Sequence, residues 1–198
     1  MITFIIPTIG RDTLSKTINS LLAQTVKEWK AIVVCDGIPK INFDDKRIKC
    51  INIPKKGKLN HAGAVRNLAI KDATTQWVAF VDDDDTLGPD YVEKFNEEIS
   101  LNPDAKCIIF RMTTVYDKSG IFPRPTDSNF FINKVGISFA MRKDLNLFFE
   151  PSSAEDFYLL NKIRSQNNKI IISPYVTYFV REQPKQMANF NRVKINYL

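Results

Sequence analysis

With 198 residues, of which 44% are hydrophobic and 25% charged, the chain has the composition of an average globular domain, which excludes a disordered or fibrous protein. Its formal net charge of +6 suits an anionic partner, whether a nucleotide diphosphate, a lipid phosphate or an anionic membrane surface in peripheral contact. Nucleic acid is disfavoured, because no basic segment interleaved with aromatic residues resembles a known binding module.

The first half of the chain alternates short apolar runs with segments of helical spacing. Strands are predicted at residues 2–6, 31–34, 48–53 and 77–81. Helices are predicted after the first, third and fourth strands, with Asn60 as the cap of the second helix and Pro89 opening the third. The order β-α-β-β-α-β-α predicts an α/β fold with a Rossmann-like, mostly parallel central sheet and helices on both faces.

The second half is less regular. A strand is predicted at residues 108–115, followed by a polar loop and an apolar segment at 135–141. A helix is predicted at 155–163, with Ser152 or Ser153 as its cap, and extended runs follow at 170–172 and 176–180. The tail from residue 183 onward carries no clear pattern.

The start of the chain and its cysteines bear on the cellular compartment of the protein. The first seven residues lack a basic leader, and no stretch approaches the roughly 20 apolar residues that span a bilayer, so we predict a cytoplasmic protein. Cys35, Cys50 and Cys107 are too few and too widely spaced for a zinc site, and their odd number argues against a closed disulfide framework. Reduced, largely buried thiols are expected.

Polar residues follow the predicted strands at three places: Pro7-Thr8, Asp36-Gly37 and the aspartates 82–85. Ligands of parallel sheets bind beyond the carboxyl ends of the strands. We therefore expect these three segments to meet in one cleft, although they are far apart in sequence.

Four adjacent aspartates, residues 82–85, form the strongest chemical signal. Such carboxylates repel one another, so the run favours a bound cation or a donor-rich ligand. A solvated acidic turn in which Asp85 caps the next helix is the alternative. A calcium loop ending at Glu93 fits less well, because Leu87 stands where the sharp turn needs glycine and a strand precedes the run.

Several blocks resemble, in order, those of the family 2 glycosyltransferases over most of residues 1–182. They are IIPTIGR, SLLAQT, VVCDG, AVRN, VDDDD and the acid pair Glu155-Asp156. The resemblance implies a GT-A fold in a single domain, 1–198. Residues 1–105 would form its nucleotide-sugar-binding half, 106–182 its acceptor and catalytic half, and 183–198 a C-terminal tail.

The resemblance also implies an activity. The chain is expected to be an inverting, metal-dependent transferase that moves a sugar from a nucleotide-diphosphate donor, a UDP-sugar, to the hydroxyl of a glycan, glycolipid or other acceptor. Mn²⁺ or Mg²⁺ would neutralise the departing diphosphate through hard oxygen ligands.

Residue roles follow from the matched blocks. The resemblance places Pro7, Thr8 and Arg11 along the nucleotide, with Asp36 facing the base, where a carboxylate can accept the imide hydrogen of uracil. The other donor-side residues are Arg66 on the nucleotide side, Asp82 at the ribose or metal shell, Asp83 at the nucleotide-sugar and Asp84 as the metal ligand. A helix-surface salt bridge is the alternative role of Arg66.

The acid pair carries the second half of the chemistry. By resemblance, Asp156 is the base that takes the acceptor proton, and Glu155 is an acceptor or structural contact. The alternative is that both acids only favour the positive N-terminus of their helix.

Two departures from the family pattern keep rival functions open. Cys35 replaces the first aspartate of Asp-Asp-Gly-Ser, and Glu182 and Gln183 stand where many relatives have a metal-binding histidine. The lone His61 is either phosphate-facing or an exposed loop residue. A nucleotide-sugar-binding module without turnover is the main rival. A sugar-phosphate nucleotidyltransferase fits less well, because its Gly-rich signature is absent after the first strand.

Overall fold

The computed structural model describes residues 1–56, 62–113 and 120–181. The strands are β1 (Ile2–Thr8), β2 (Trp29–Asp36), β3 (Ile48–Ile53), β4 (Trp77–Phe80), β5 (Thr86–Leu87), β6 (Cys107–Thr113), β7 (Ile121–Phe122), β8 (Phe139–Arg142) and β9 (Ile170–Phe179). The helices are α1 (Leu14–Leu22), α2 (Gly63–Asp72), α3 (Tyr91–Leu101) and α4 (Glu155–Ser165), with a short 3-10 helix at Lys143–Leu145. Asn60, His61, residues 114–115, Glu182 and the tail 183–198 lie outside the described residues.

These strands form one sheet in the order β3-β2-β1-β4-β8-β6-β9-β5, with β7 pairing to β6. Strands β1, β2, β3, β4, β6 and β9 run in one direction, whereas β5, β7 and β8 run the other way. The prediction of a mostly parallel sheet is therefore confirmed. Because β8 runs in reverse, its entry lies at the same edge as the carboxyl ends of its neighbours.

Strand β1 continues through Pro7, where the sequence suggested that it stops. Pro7 pairs with Val34 of β2, while the pairing with β4 ends at Ile5 opposite Phe80. Proline has no backbone N–H to donate to a neighbouring strand, but no donor is needed on the β4 side beyond Ile5, where that pairing ends. The strand therefore carries Thr8 to the edge of the sheet.

Aromatic side chains join the sheet to the elements on its two faces. On one face, Phe4 and Trp77 make edge-on contacts with Tyr91 and Phe95 of α3, at centroid distances of 5.4 Å in both pairs. On the other, Phe80 meets Phe149 at 5.0 Å. The core is one cluster of buried side chains that draws on both halves of the chain.

Helix α2 also meets Phe149, through Asn67. The amide of Asn67 exchanges two hydrogen bonds of 2.9 Å with the backbone of Phe149. Helices therefore cover both faces of the sheet, as predicted.

The predicted serine cap of α4 is wrong, and the predicted cap of the second helix, Asn60, lies outside the described residues. Helix α2 has Ala62 at its N-cap, and α4 has Ala154, neither with a side-chain cap. Ser152 instead accepts a hydrogen bond of 3.2 Å from the Ala154 N–H, within the turn before the helix. The two-residue strands β5 and β7 were not predicted, since so short a segment carries no periodicity.

The three cysteines are free, as expected. Cys35 and Cys107 are buried, and the sulfur atoms of Cys35 and Cys50 lie 3.1 Å apart on neighbouring strands. Among the described residues, no helix combines the length and apolarity that a bilayer crossing requires.

Candidate functional site

A cavity of about 840 Å³ opens at the carboxyl edge of the sheet. Its volume lies within the range of roughly 300–1,000 Å³ that is usual for small-molecule sites. Its lining includes every residue that the sequence assigned to a site: Pro7, Thr8, Arg11, Asp36, Arg66, Asp82, Asp83, Asp84 and Asp156. The expectation that the strand ends meet in one cleft is confirmed for Pro7-Thr8, Asp36 and the aspartates.

Residues 82–85 form a tight acidic turn after β4, in which the Asp85 N–H donates to the Asp82 carbonyl at 3.1 Å. Asp83 is buried, and both of its oxygens already have partners. The Thr8 hydroxyl donates to one at 2.7 Å and Arg11 donates to the other at 2.7 Å. Asp83 thus ties the end of β1 to the turn.

Asp85 is the second buried acid of the acidic turn. It accepts hydrogen bonds from the Tyr178 hydroxyl at 2.7 Å and from the Arg181 N–H at 3.1 Å. Burial, together with the neighbouring Asp82 carboxylate, raises the pKa of Asp85 to about 7. The Tyr178 oxygen also accepts the Asp82 N–H at 3.3 Å, so this tyrosine holds the turn at two points.

Asp82 and Asp84 are more open to the cavity than the other two acids. Asp84 meets Arg181 at 3.1 Å and Arg11 at 3.6 Å. Carboxylate oxygens of Asp82, Asp84 and Asp85 lie within 4.8 Å of one another. Such hard oxygen donors in one small volume fit a divalent cation such as Mg²⁺ or Mn²⁺.

Arg66 joins the acidic turn to the acid pair. Its side chain is only 4% exposed, and its two terminal nitrogens pair with Asp82 and Glu155. The salt bridge offered as its alternative role is present but buried rather than at the helix surface, and since Arg66 also lines the cavity its place on the nucleotide side stays a prediction. Since each carboxylate neutralises part of the buried guanidinium charge, loss of either partner would leave it poorly compensated.

Glu155 caps helix α2 from 92 positions away in sequence. Its carboxylate accepts the Gly63 N–H at 3.0 Å while pairing with Arg66. Residue 63 has no room for a side chain, because a Cβ there would overlap Glu155 and lie 2.7 Å from the Phe149 Cβ. This tertiary cap explains why α2 begins without a capping side chain of its own.

Asp156 lies in the first turn of α4 and faces the cavity. Burial raises the pKa of Asp156, while the Phe157 N–H, which donates to the carboxylate at 2.7 Å, opposes that rise. Gly136 brings the segment before β8 close by, since a Cβ there would lie 3.8 Å from an Asp156 oxygen. A partly buried carboxylate with a raised pKa suits proton transfer.

Asp36 is the last residue of β2 and also lines the cavity. One of its oxygens accepts the Lys56 N–H at 2.6 Å, and the other lies 3.7 Å from the Lys55 ammonium. Gly37 follows with φ +73, a conformation that suits glycine, and a Cβ there would lie 2.8 Å from the Lys55 Cβ.

Among the cavity-lining side chains to which sequence reasoning gave no role, Tyr178 and Arg181 contact the acidic turn directly. Both come from the end of β9, which lies beside β6 and far from the acidic turn in sequence. Residues 178–181 read YFVR, a late Tyr-x-x-Arg pattern, but the pattern by itself assigns neither residue a role. Arg181 has φ +54, and its Nε donates to Asp84 at 3.1 Å.

Comparisons with known proteins fit this geometry. The model of the family described as "Glycosyl transferase family 2" matches residues 3–153. The UDP-Glc:alpha-D-GlcNAc-diphosphoundecaprenol beta-1,3-glucosyltransferase WfaP of Escherichia coli is 28% identical over 131 residues, which cover 61% of this chain and 49% of WfaP. Matched segments span 17% to 49% of the length of the curated relatives.

Solved structures show the same fold. S. aureus TarS (residues 1–349) in complex with UDP has a TM-score of 0.72 and 19% identity, covering 96% of this chain and 62% of TarS. The mannosyltransferase PcManGT from Pyrobaculum calidifontis, in complex with GDP-Man and Mn²⁺, has a TM-score of 0.64 and 16% identity. The match covers 95% of this chain and 59% of PcManGT. The chain thus has a GT-A fold, and it belongs to glycosyl transferase family 2.

Proposed function

We propose that this protein is an inverting, metal-dependent glycosyltransferase that moves a sugar from a UDP-sugar to an acceptor hydroxyl. The observation that carries the proposal is the meeting of Asp36, the acidic turn and Asp156 around one cavity. Asp36 offers a site for the nucleobase, the acidic turn a site for the metal, and Asp156 a general base.

The donor nucleotide lies, in this proposal, over the ends of β1 and β2. Asp36 accepts the imide hydrogen of the base, while Pro7, Thr8 and Arg11 line the path of the nucleotide. UDP in the TarS complex and UDP-Glc in the name of WfaP support uridine as the base. GDP-Man in PcManGT makes guanosine the competitor to test.

Asp84 would hold the metal, and Asp82 would complete the metal shell or contact the ribose. Bound Mn²⁺ or Mg²⁺ supplies neutralisation of the charge that develops on the departing diphosphate. The Mn²⁺ in the PcManGT complex and the clustered carboxylates of the acidic turn support this assignment. Asp83 contributes by holding Thr8 and Arg11 in place.

Arg66 serves the donor side indirectly. Because its guanidinium already bridges Asp82 and Glu155, we assign it to positioning both carboxylates rather than to a direct nucleotide contact.

Asp156 takes the proton of the acceptor hydroxyl as the oxygen attacks the anomeric carbon from the side opposite the diphosphate. One bond forms from the acceptor oxygen to that carbon, and the bond from the carbon to the diphosphate oxygen breaks. The nucleotide diphosphate leaves with the electron pair, and the sugar configuration inverts. Glu155 precedes Asp156 in the chain, but its carboxylate is held by Arg66 and the Gly63 N–H. Asp156 is therefore the member of the acid pair that can act as the general base.

The position of Cys35, one of the two departures from the family pattern, favours an active enzyme over a binding module without turnover. Cys35 lies buried against Cys50 and is not among the residues that line the cavity. Residue 35 of this chain is therefore a core side chain, whereas the neighbouring Asp36 supplies the carboxylate at the cavity. The other departure, Glu182 and Gln183, lies outside the described residues.

The acceptor is assigned to a glycolipid, since the acceptor in the name of WfaP is a sugar on diphosphoundecaprenol. Peripheral contact with an anionic membrane surface goes with such an acceptor. The division into a donor half 1–105 and an acceptor half 106–182, the tail 183–198 and the cytoplasmic location stay predictions.

A thermal-shift experiment tests the donor assignment. UDP, GDP and CDP are added with and without Mn²⁺, since a ligand that binds only the folded state raises the unfolding midpoint. We expect UDP with Mn²⁺ to give the largest rise. The control is Asp104→Asn, an exposed carboxylate paired with Lys169 and outside the cavity lining. A larger rise with GDP would contradict the choice of uridine, and no rise with any nucleotide would contradict the donor site.

A further inference from the structure

A four-residue turn beside the cavity presents apolar side chains to solvent. In this apolar turn, residues 131–134, the Lys134 N–H donates to the Phe131 carbonyl at 3.0 Å and Asn133 has φ +60. Phe130 and Val135 on either side are buried, whereas Phe131 is 56% and Ile132 is 46% exposed. The turn is therefore anchored at both ends while its apolar side chains point outward.

The apolar turn lies on the acceptor side of the site. The Phe130 ring contacts Phe157, which directly follows Asp156, at a centroid distance of 6.1 Å. Tyr158 is 48% exposed, and its ring lies 5.7 Å from that of Phe157. Two residues past the turn, Gly136 lines the cavity.

Positive charges flank these apolar side chains. Arg164 of α4 lies over the Phe130 ring at 4.5 Å, and Lys134 lies over the Phe122 ring at 5.0 Å. Arg124, in the loop after β7, is exposed as well. Exposed aliphatic and aromatic groups, a tyrosine and a basic rim are the combination that binds at the interface of an anionic bilayer.

We propose that the apolar turn, together with Tyr158 and its basic rim, is the surface through which this protein contacts an anionic lipid bilayer. The assignment rests on the proposed function in one respect: it explains how Asp156 reaches an acceptor carried by a lipid. Phe131 and Ile132 enter the boundary between headgroups and acyl chains, while Lys134 and Arg164 meet anionic headgroups.

Co-sedimentation with vesicles tests this surface. Phosphatidylcholine vesicles are used with and without phosphatidylglycerol, and wild type is compared with the double variant Phe131→Ser, Ile132→Ser. We expect wild type to bind the anionic vesicles and the double variant to bind about tenfold more weakly or worse, because it buries much less apolar surface. Lys134→Gln should weaken binding to anionic vesicles about fivefold. Leu101→Ser is the control, since Leu101 is 72% exposed but belongs to α3.

Transfer to a short-chain, water-soluble acceptor is measured on the same variants. Unchanged transfer in the double variant shows that its site is intact, so its loss of vesicle binding supports the membrane surface. The proposal would be overturned if the wild-type protein does not bind anionic vesicles, or if the double variant binds them as tightly as wild type does. If light scattering shows that the double variant only converts a dimer to a monomer, the surface is a self-association site instead. Failure of transfer with intact vesicle binding would count against the proposed function alone.

Discussion

The acidic turn and the acid pair at the start of α4 are built from the same kind of residue, but they treat their carboxylates differently. In the acidic turn, the cavity-facing Asp84 lies against two arginines, Arg11 and Arg181. Asp156 faces the same cavity with a pKa that burial raises. The acidic turn thus directs arginines at its cavity-facing Asp84 and keeps its raised-pKa acid, Asp85, buried against Tyr178, whereas the acid pair presents its raised-pKa acid, Asp156, to the cavity.

Each region also contains acids that hold the fold. Asp83 and Asp85 are buried in the acidic turn, bound to Thr8 and Tyr178 respectively, and Glu155 is tied to Arg66. The acids within one run therefore have different roles and are not equivalent ligands. Burial and partners separate the carboxylates that anchor from those left for chemistry.

The largest effect is expected for Asp156→Asn. The amide keeps the size of the side chain but cannot take a proton, and general-base contributions are typically about 10² to 10⁴ in rate. Transfer from the UDP-sugar should therefore fall by at least about a hundredfold in a steady-state assay. Near-normal turnover would exclude Asp156 as the base, and Asp104→Asn, an exposed carboxylate on the surface, controls for the loss of one charge.

Substitution of Asp84 should act on the metal instead. Asp84→Asn removes one anionic ligand from the acidic turn, so Mn²⁺ should enhance UDP binding by about tenfold less than in wild type, equivalent to about 1.4 kcal/mol. Isothermal titration of UDP with and without Mn²⁺ measures the enhancement. Equal enhancement in the two proteins would show that Asp84 is not a metal ligand.

The acid pair should also be visible in the pH dependence of the rate. Because the pKa of Asp156 is raised and the reaction needs the carboxylate, the rate should fall as pH drops through that pKa, by about tenfold per pH unit below it. This acidic limb should lie above the ordinary range of an aspartate. The residual activity of Asp156→Asn should lack the limb, and its persistence there would assign it to another group.

The smallest effect is expected at the contact between α2 and Glu155. Gly63→Ala would ordinarily stabilise a helix by roughly 0.5–1 kcal/mol. Here the added Cβ meets Glu155 and Phe149, so the free energy of unfolding should instead fall by about 1–3 kcal/mol. Urea unfolding measures the change, with Ala64→Gly at the next, exposed position as a control for helix propensity. A stabilised Gly63→Ala protein would mean that Glu155 does not cap α2 tightly.

The donor side of this site was largely predictable from sequence, because its chemistry follows strand ends. Apolar runs located β1, β2 and β4, and parallel strands bring their carboxyl ends together. The sequence alone therefore predicts that Thr8, Asp36 and the acidic turn lie in one cleft. The assignment of each of them to a part of the donor still awaits experiment.

Contacts between distant segments could not be predicted in the same way. Glu155 caps α2 across 92 residues, and Tyr178 reaches Asp85 across 93. Neither contact leaves a local pattern, since a cap from another element needs no capping residue nearby. The partners of Arg66 could not be predicted for the same reason, because a basic residue on a helix can equally be a surface group or part of a buried bridge.

Calorimetric titration of UDP into Asp156→Asn, with and without Mn²⁺, tests the central distinction most directly. If the acidic turn binds the donor and metal while Asp156 only takes the acceptor proton, the variant that has lost transfer should bind UDP with wild-type affinity and wild-type enhancement by Mn²⁺. Loss of UDP binding or of its metal enhancement in this variant, with the fold intact by circular dichroism, would contradict the account.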